Sequence, residues 1–179
     1  MRFRLAFVAA GLAVALAVAA IGCKNGGSDT INLDDYFKQL DELQNGIDAS
    51  FEAQDAASQD PAADATGEEL AAYLRENITA SVEILEEGAT DAADIEAPAD
   101  LQDEHDALTA AIGDSAAALQ DVADSVPDSL TMAELEAADV TYFSDEALST
   151  AFDRIGETCN VLQAVAVDND IVVDLACDE

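Results

Sequence analysis

Between Leu101 and Val126 the chain carries an unbroken seam. Leu101, His105, Leu108, Ile112, Ser115, Leu119, Val122 and Val126 follow one another at alternating steps of 4 and 3. Those steps keep one face of an α-helix turned to one side, whereas strand alternation would break at the first odd step. Related stripes recur along the chain. Tyr36, Leu40, Leu43, Ile47 and Phe51 line one segment, and Leu70, Leu74, Ile78 and then Val82 or Leu85 line a second, widened by Tyr73 and Ile84. Leu148, Phe152, Ile155, Cys159, Leu162 and Ala166 line a last one. Four amphipathic helices of similar length bury their stripes most simply against one another, so the expected fold is all-α, an antiparallel four-helix bundle with an extra short helix. A coiled-coil oligomer competes, because two helices keep clean heptads, but the long acidic connections and an apolar tail argue for an intramolecular bundle. No repeat of fixed length is visible, which disfavours a helical solenoid.

Local signals place the boundaries. Asn32 with Asp35 predicts the first helix start, and Asn45-Gly46 within it predicts a kink or a locally weakened helix, at about 1 kcal/mol relative to alanine. The stripe fades after Phe51, and Glu52 to Gly67 reads as a polar connection with little to bury. Thr66-Gly67-Glu68-Glu69 is a capping box that opens the second helix, with Gly88 as its expected stop. Pro98 suits the first turn of the third helix, and Pro127 ends it. Thr131 and Glu134 form another capping box for a short helix through Ala138 that points Met132 and Leu135 inward, and Ser144 is expected to cap the last long helix. Asp168-Asn169-Asp170 with Asp174 offers oxygen ligands for a calcium loop but lacks the glycine and the bidentate glutamate of an EF-hand, and it reads as a helix stop. The tail from Ile171 to Cys177 is apolar enough to fold back, extended or irregular, onto the bundle.

Ahead of the first stripe stand Arg2 and Arg4 and an uncharged run from Leu5 to Ile21. About 17 apolar residues suit a signal-peptide core better than a membrane span of about 20. The run closes on Ala20-Ile21-Gly22-Cys23, which resembles the lipobox of bacterial lipoproteins, with Ala20 where leucine is commoner. That resemblance implies a diacylglyceryl group on the sulfur of Cys23, cleavage before it and acylation of the new amine. Residues 1–22 would then be a removed signal peptide, 23–29 a lipidated flexible tether and 30–179 an acidic helical domain. The domain would be anchored to the membrane of the cell envelope and face the periplasm or the exterior. The alternative is an uncleaved signal anchor, which faces the domain outward as well. Lys24 stands where an inner-membrane retention signal would carry aspartate.

Residues 23–179 set four cations against 39 carboxylates, a formal charge of −35. Such a field repels nucleic acid and anionic lipid headgroups and favours a cationic or protein partner. Its plainer reading is a solvated acidic surface, as suits a saline medium that screens self-repulsion. With Cys23 assigned to lipid, Cys159 and Cys177 remain as one pair in an oxidising compartment, and a disulfide between them would stabilise by roughly 3 kcal/mol. Free thiols or thiolate metal ligands are the alternatives, and no Cys-x-x-Cys spacing is present.

Enzyme chemistry finds little footing. One histidine excludes sites built on two or three imidazoles, and no nucleophile elbow, zinc helix or phosphate-binding glycine loop occurs. A carboxylate-based hydrolase would need two acids about 5 to 9.5 Å apart, which sequence does not reveal. The expectation is a protein that is not an enzyme and carries no cofactor. His105 sits on a seam rather than on the acidic face. Its structural reading is a buried imidazole hydrogen-bonded to a carboxylate or a tyrosine such as Tyr36, Tyr73 or Tyr142; its functional reading is a ligand for a metal or small molecule in the bundle. The run Glu96-Ala97-Pro98-Ala99-Asp100-Leu101 with His105 and Leu108, and the ending Cys159, Leu162, Val173-Asp174-Leu175 and Cys177, resemble features of acidic helical lipoproteins of environmental bacteria. The resemblance implies no activity and favours His105 and the cysteine pair as architectural positions. The functional expectation is a non-enzymatic binding or interaction module at the envelope, with a carrier site around His105 as the alternative.

Overall fold

The computed structural model describes residues 31–138 and 146–177. Cys23, the tether, Tyr142 and Ser144 lie outside them. The described residues form five helices and no strand: α1 (Leu33–Ala57), α2 (Gly67–Asp94), α3 (Gln102–Ser125), α4 (Met132–Glu136) and α5 (Glu146–Asp168).

Each helix start that carries a polar cap begins where its capping chemistry puts it. The Asn32 side chain accepts from the amides of Asp34 at 2.7 Å and Asp35 at 3.4 Å. Both threonine capping boxes close, with the carboxylates of Glu69 and Glu134 each accepting a backbone amide proton at 2.7 Å. Those hydrogen bonds hold both carboxyl groups below their ordinary pKa.

α1 runs through Asn45-Gly46, as its continuous stripe predicts, with Asn45 Nδ2 donating to the Asp41 carbonyl and Gly46 facing open space. Three boundaries differ from the sequence reading, each for a local reason. α1 continues past Phe51 to Ala57, because Gln54 and Ser58 find partners on α2. Gly88 does not stop α2 but sits buried inside it. A Cβ there would stand 2.8 Å from Ile47 Cδ1 and 3.8 Å from Ile112 Cγ2, so the glycine serves a close approach rather than a helix end. Pro98 begins a turn, not a helix: the Leu101 amide donates to the Pro98 carbonyl at 2.8 Å, and α3 starts at Gln102 with Leu101 already in the core.

The pairing of neighbours follows from their cross-contacts. Ile47 meets Gly88 while Gln54 and Ser58 reach Asn77, so α1 and α2 run in opposite directions. The Gly67 carbonyl accepts the Leu130 amide and Arg75 donates to the carbonyls of Val126 and Pro127, so α2 and α3 are also opposed. α5 packs on α3, and α4, with Leu135 buried and Met132 half-buried, lies against α2. All long helices feed one apolar core.

α5 ends in a Schellman turn. Asp170 takes the left-handed conformation (φ 58°), its amide donates to the Val167 carbonyl, and the Ile171 amide donates to Ala166 at 2.9 Å. Asp168-Asn169-Asp170 is therefore a helix stop. The tail then folds back without regular structure, Leu175 is buried, and a disulfide joins Cys159 to Cys177 with 5.4 Å between the Cα atoms.

Candidate functional site

The seam that carries His105 delivers its ring into the core, where the side chain is 3% exposed. Its Nδ1 lies 3.2 Å from the hydroxyl of Tyr36, and the two rings meet edge to face with centroids 5.7 Å apart. Tyr36 itself is fully buried and packs edge-on against Phe37 at 5.2 Å. Of the two described tyrosines named from sequence as partners, Tyr36 is the one the fold brings to His105; Tyr73 is placed elsewhere, against Ser58.

Burial pushes the His105 pKa down, against a hydrogen bond to the Ala92 backbone and the negative charge of Asp106, both of which favour the cation. Burial, and secondarily the Glu104 charge, raise the Tyr36 pKa, which keeps its hydroxyl protonated. The imidazole is thus engaged within the chain through Nδ1. A depression of about 310 Å³ opens beside the ring, bordered by Gln102, Asp106 and Thr109.

The remaining chemistry is distributed over the surface. Among the described residues, no group of three or more His, Cys, Asp or Glu is placed to hold a metal ion, and no helix is long and apolar enough to cross a membrane. The three described cations all meet groups of this chain: Lys38 pairs with Glu42 at 3.6 Å, Arg154 pairs with Asp114, and Arg75 caps the end of α3. A second groove, of about 510 Å³, follows the α1–α2 seam.

Two arrangements escaped the sequence reading. Gln163 clamps the tail, its Nε2 donating to the Val173 carbonyl at 3.0 Å and its Oε1 accepting the Leu175 amide at 2.8 Å. Gln54 reaches across to α2, donating to the Asn77 carbonyl at 2.7 Å and to Ser81 Oγ at 3.2 Å. Neither has a motif; for Gln163 the only available signal was a polar residue within an otherwise apolar run, and Gln54, between Glu52 and Asp55, had none. No protein-family model matches this chain, and no curated protein or solved structure matches it either.

Proposed function

We propose that the chain is a lipid-anchored, extracytoplasmic, non-enzymatic interaction module, held at the cell envelope through Cys23. The observation that carries this reading is the charge distribution: every described cation meets a group of its own chain, while the exposed surface presents carboxylates to whatever approaches. A partner therefore has to bring the positive charge. The burial of His105 and its contact with Tyr36 support a structural role for the one residue type best suited to chemistry. Lipid on Cys23, at about 0.8 kcal/mol per buried CH₂, would supply stable attachment through two or three chains. In this reading α1, α2, α3 and α5 make an antiparallel four-helix bundle, supported by the opposed α1/α2 and α2/α3 pairs and the packing of α5 on α3.

The test combines two measurements on the full chain in a bacterial envelope. Native mass spectrometry of the extracted protein is expected to show an N-terminus at Cys23 with acyl mass, and Cys23→Ser should move the domain out of the membrane fraction. Crosslinking in the intact envelope is expected to give a defined stoichiometric partner that is lost at high salt. An unmodified chain, or one without a reproducible partner, overturns the proposal. The depression beside His105 favours a second reading, a small-molecule or metal carrier. It requires a bound mass that His105→Ala removes.

A further inference from the structure

From the groove along the α1–α2 seam, we infer that this protein docks a basic amphipathic helix of a partner protein, its apolar ridge laid between α1 and α2. This rests on the interaction-module reading and gives it a place and a partner chemistry. The floor of the groove is apolar and half-buried, formed by Leu43 and Ile47 of α1 with Ile84 and Ile95 at either end of the α2 wall. Its rim is acidic and exposed: Glu42 on one side, Glu87, Asp91 and Asp94 on the other. Glu42 is shared with Lys38, but no ion pair or hydrogen bond of the side chains of Glu87, Asp91 or Asp94 is formed within the described residues.

Three features choose the occupant. Both walls are helices whose backbone groups are already paired, so an extended peptide would gain no main-chain hydrogen bonds, whereas a helix brings its own bonds satisfied. From Ile84 to Ile95 the α2 wall rises by roughly 16 Å, which accommodates about three turns of a partner helix. Gly46 leaves the α1 side of the groove without a side chain, and a Cβ built there meets nothing within 4 Å, so a partner can approach closely. Charge completes the assignment. The unpaired carboxylates repel anionic lipid headgroups, and a second copy of this chain offers no basic helical face, its described helices carrying only Lys38, Arg75 and Arg154. Lysine or arginine flanking the partner's apolar ridge would meet the rim on both sides.

The probe is a fluorescent 14-residue leucine–lysine peptide with its leucines on one helical face, titrated into the full protein and followed by anisotropy at low and at physiological salt. Its control is a peptide of the same composition with the leucines scattered. Saturable one-to-one binding of the first peptide, markedly weaker binding of the second and a steep salt dependence are expected. Gly46→Gln projects a neutral side chain into the groove without touching the core and should weaken binding about tenfold while the thermal melt is unchanged or higher. E87Q/D91N/D94N should weaken it by about tenfold as well, each exposed pair contributing little alone, and should flatten the salt dependence. Equal binding of the two peptides, or an affinity unmoved by Gly46→Gln in a folded variant, overturns the groove as the site. If no peptide binds while envelope crosslinking still yields a stoichiometric partner, the groove proposal falls and the module reading stands. If crosslinking also fails, both fall.

Discussion

At its amino-terminal end α1 enters the domain through Tyr36, Phe37 and Leu40, none more than 3% exposed, closed over His105 of α3. At its carboxyl-terminal end the same helix meets α2 through amides and hydroxyls. Gln54 bonds Asn77 and Ser81, and Ser58 Oγ donates to Asn77 Oδ1 at 2.9 Å and lies 3.3 Å from the Tyr73 hydroxyl. One end is buried deeply enough to depress the pKa of His105; the other is only part-buried, so water can replace any bond that is lost. Between the two, Leu43 and Ile47 are half-buried and form the groove. Depth of burial, not the number of contacts drawn across the seam, decides where this helix is held.

The largest test sets one end against the middle. Phe37→Ala empties a fully buried site and is expected to cost about 3 to 5 kcal/mol by chemical denaturation. Ile47→Ala, at a half-buried site that solvent can fill, should cost under about 2 kcal/mol. A reversed order would break the comparison, because α1 would then be held through its groove rather than its sealed end.

Within the sealed end, Tyr36→Phe removes only a hydroxyl but leaves Nδ1 of His105 buried without a partner, at about 1 to 3 kcal/mol. Removing both polar groups is the sharper experiment. Y36F/H105L should lose clearly less than the two single variants together, since an apolar pair of similar shape leaves nothing unsatisfied. Additive losses would mean that the pair is not coupled.

Much of this contrast was legible in the chain, and its limits are physical. The 4-and-3 steps reported the helices because burying a stripe requires that period, and the threonine boxes reported two starts because both halves of each box lie within four residues. His105 could be placed on the core face for the same reason, and the Cys159–Cys177 pair followed from there being no other partner within the domain. What periodicity does not carry is depth. The α1 stripe from Tyr36 to Phe51 looks uniform in sequence, yet only its first two members are buried, because depth depends on which helices stand opposite. Gly88 shows the same gap: a glycine that ends a helix and a glycine that admits Ile47 are the same letter, and only the neighbour tells them apart. Gln54 and Gln163 were illegible because their partners are backbone groups, which every residue offers.

The pKa of His105 separates the two ends by pH. Its folded value lies below the ordinary 6.5, chiefly through burial, so in the window just below 6.5 the unfolded chain binds more protons than the folded one. Stability from this group is therefore complete above about pH 6.5 and is lost as pH falls toward the folded pKa, by at most about 1.4 kcal/mol per pH unit. The groups acting on the ring are the neutral hydroxyl of Tyr36 from α1, the Ala92 backbone of α2 and Asp106 on α3 itself, with Glu104 acting on Tyr36; Ala92 and Asp106 partly oppose the shift. Thermal melts from pH 8 to 5.5 at fixed salt should show a decline that His105→Gln removes, while Gln54→Ala leaves it in place. A decline of equal size in His105→Gln would assign it to the carboxylates.

The smallest effect belongs to the wet end. Gln54→Ala removes the bonds to the Asn77 carbonyl and Ser81 Oγ, and because the site is part-buried, water can reach the groups left behind. The expected cost is about 0.5 to 1.5 kcal/mol by chemical denaturation. Amide hydrogen exchange should localise it, with faster exchange confined to the last turns of α1 and unchanged protection around Tyr36. If protection around Tyr36 fell in parallel, the two ends would open as one unit, and the polar end would be holding the apolar end closed.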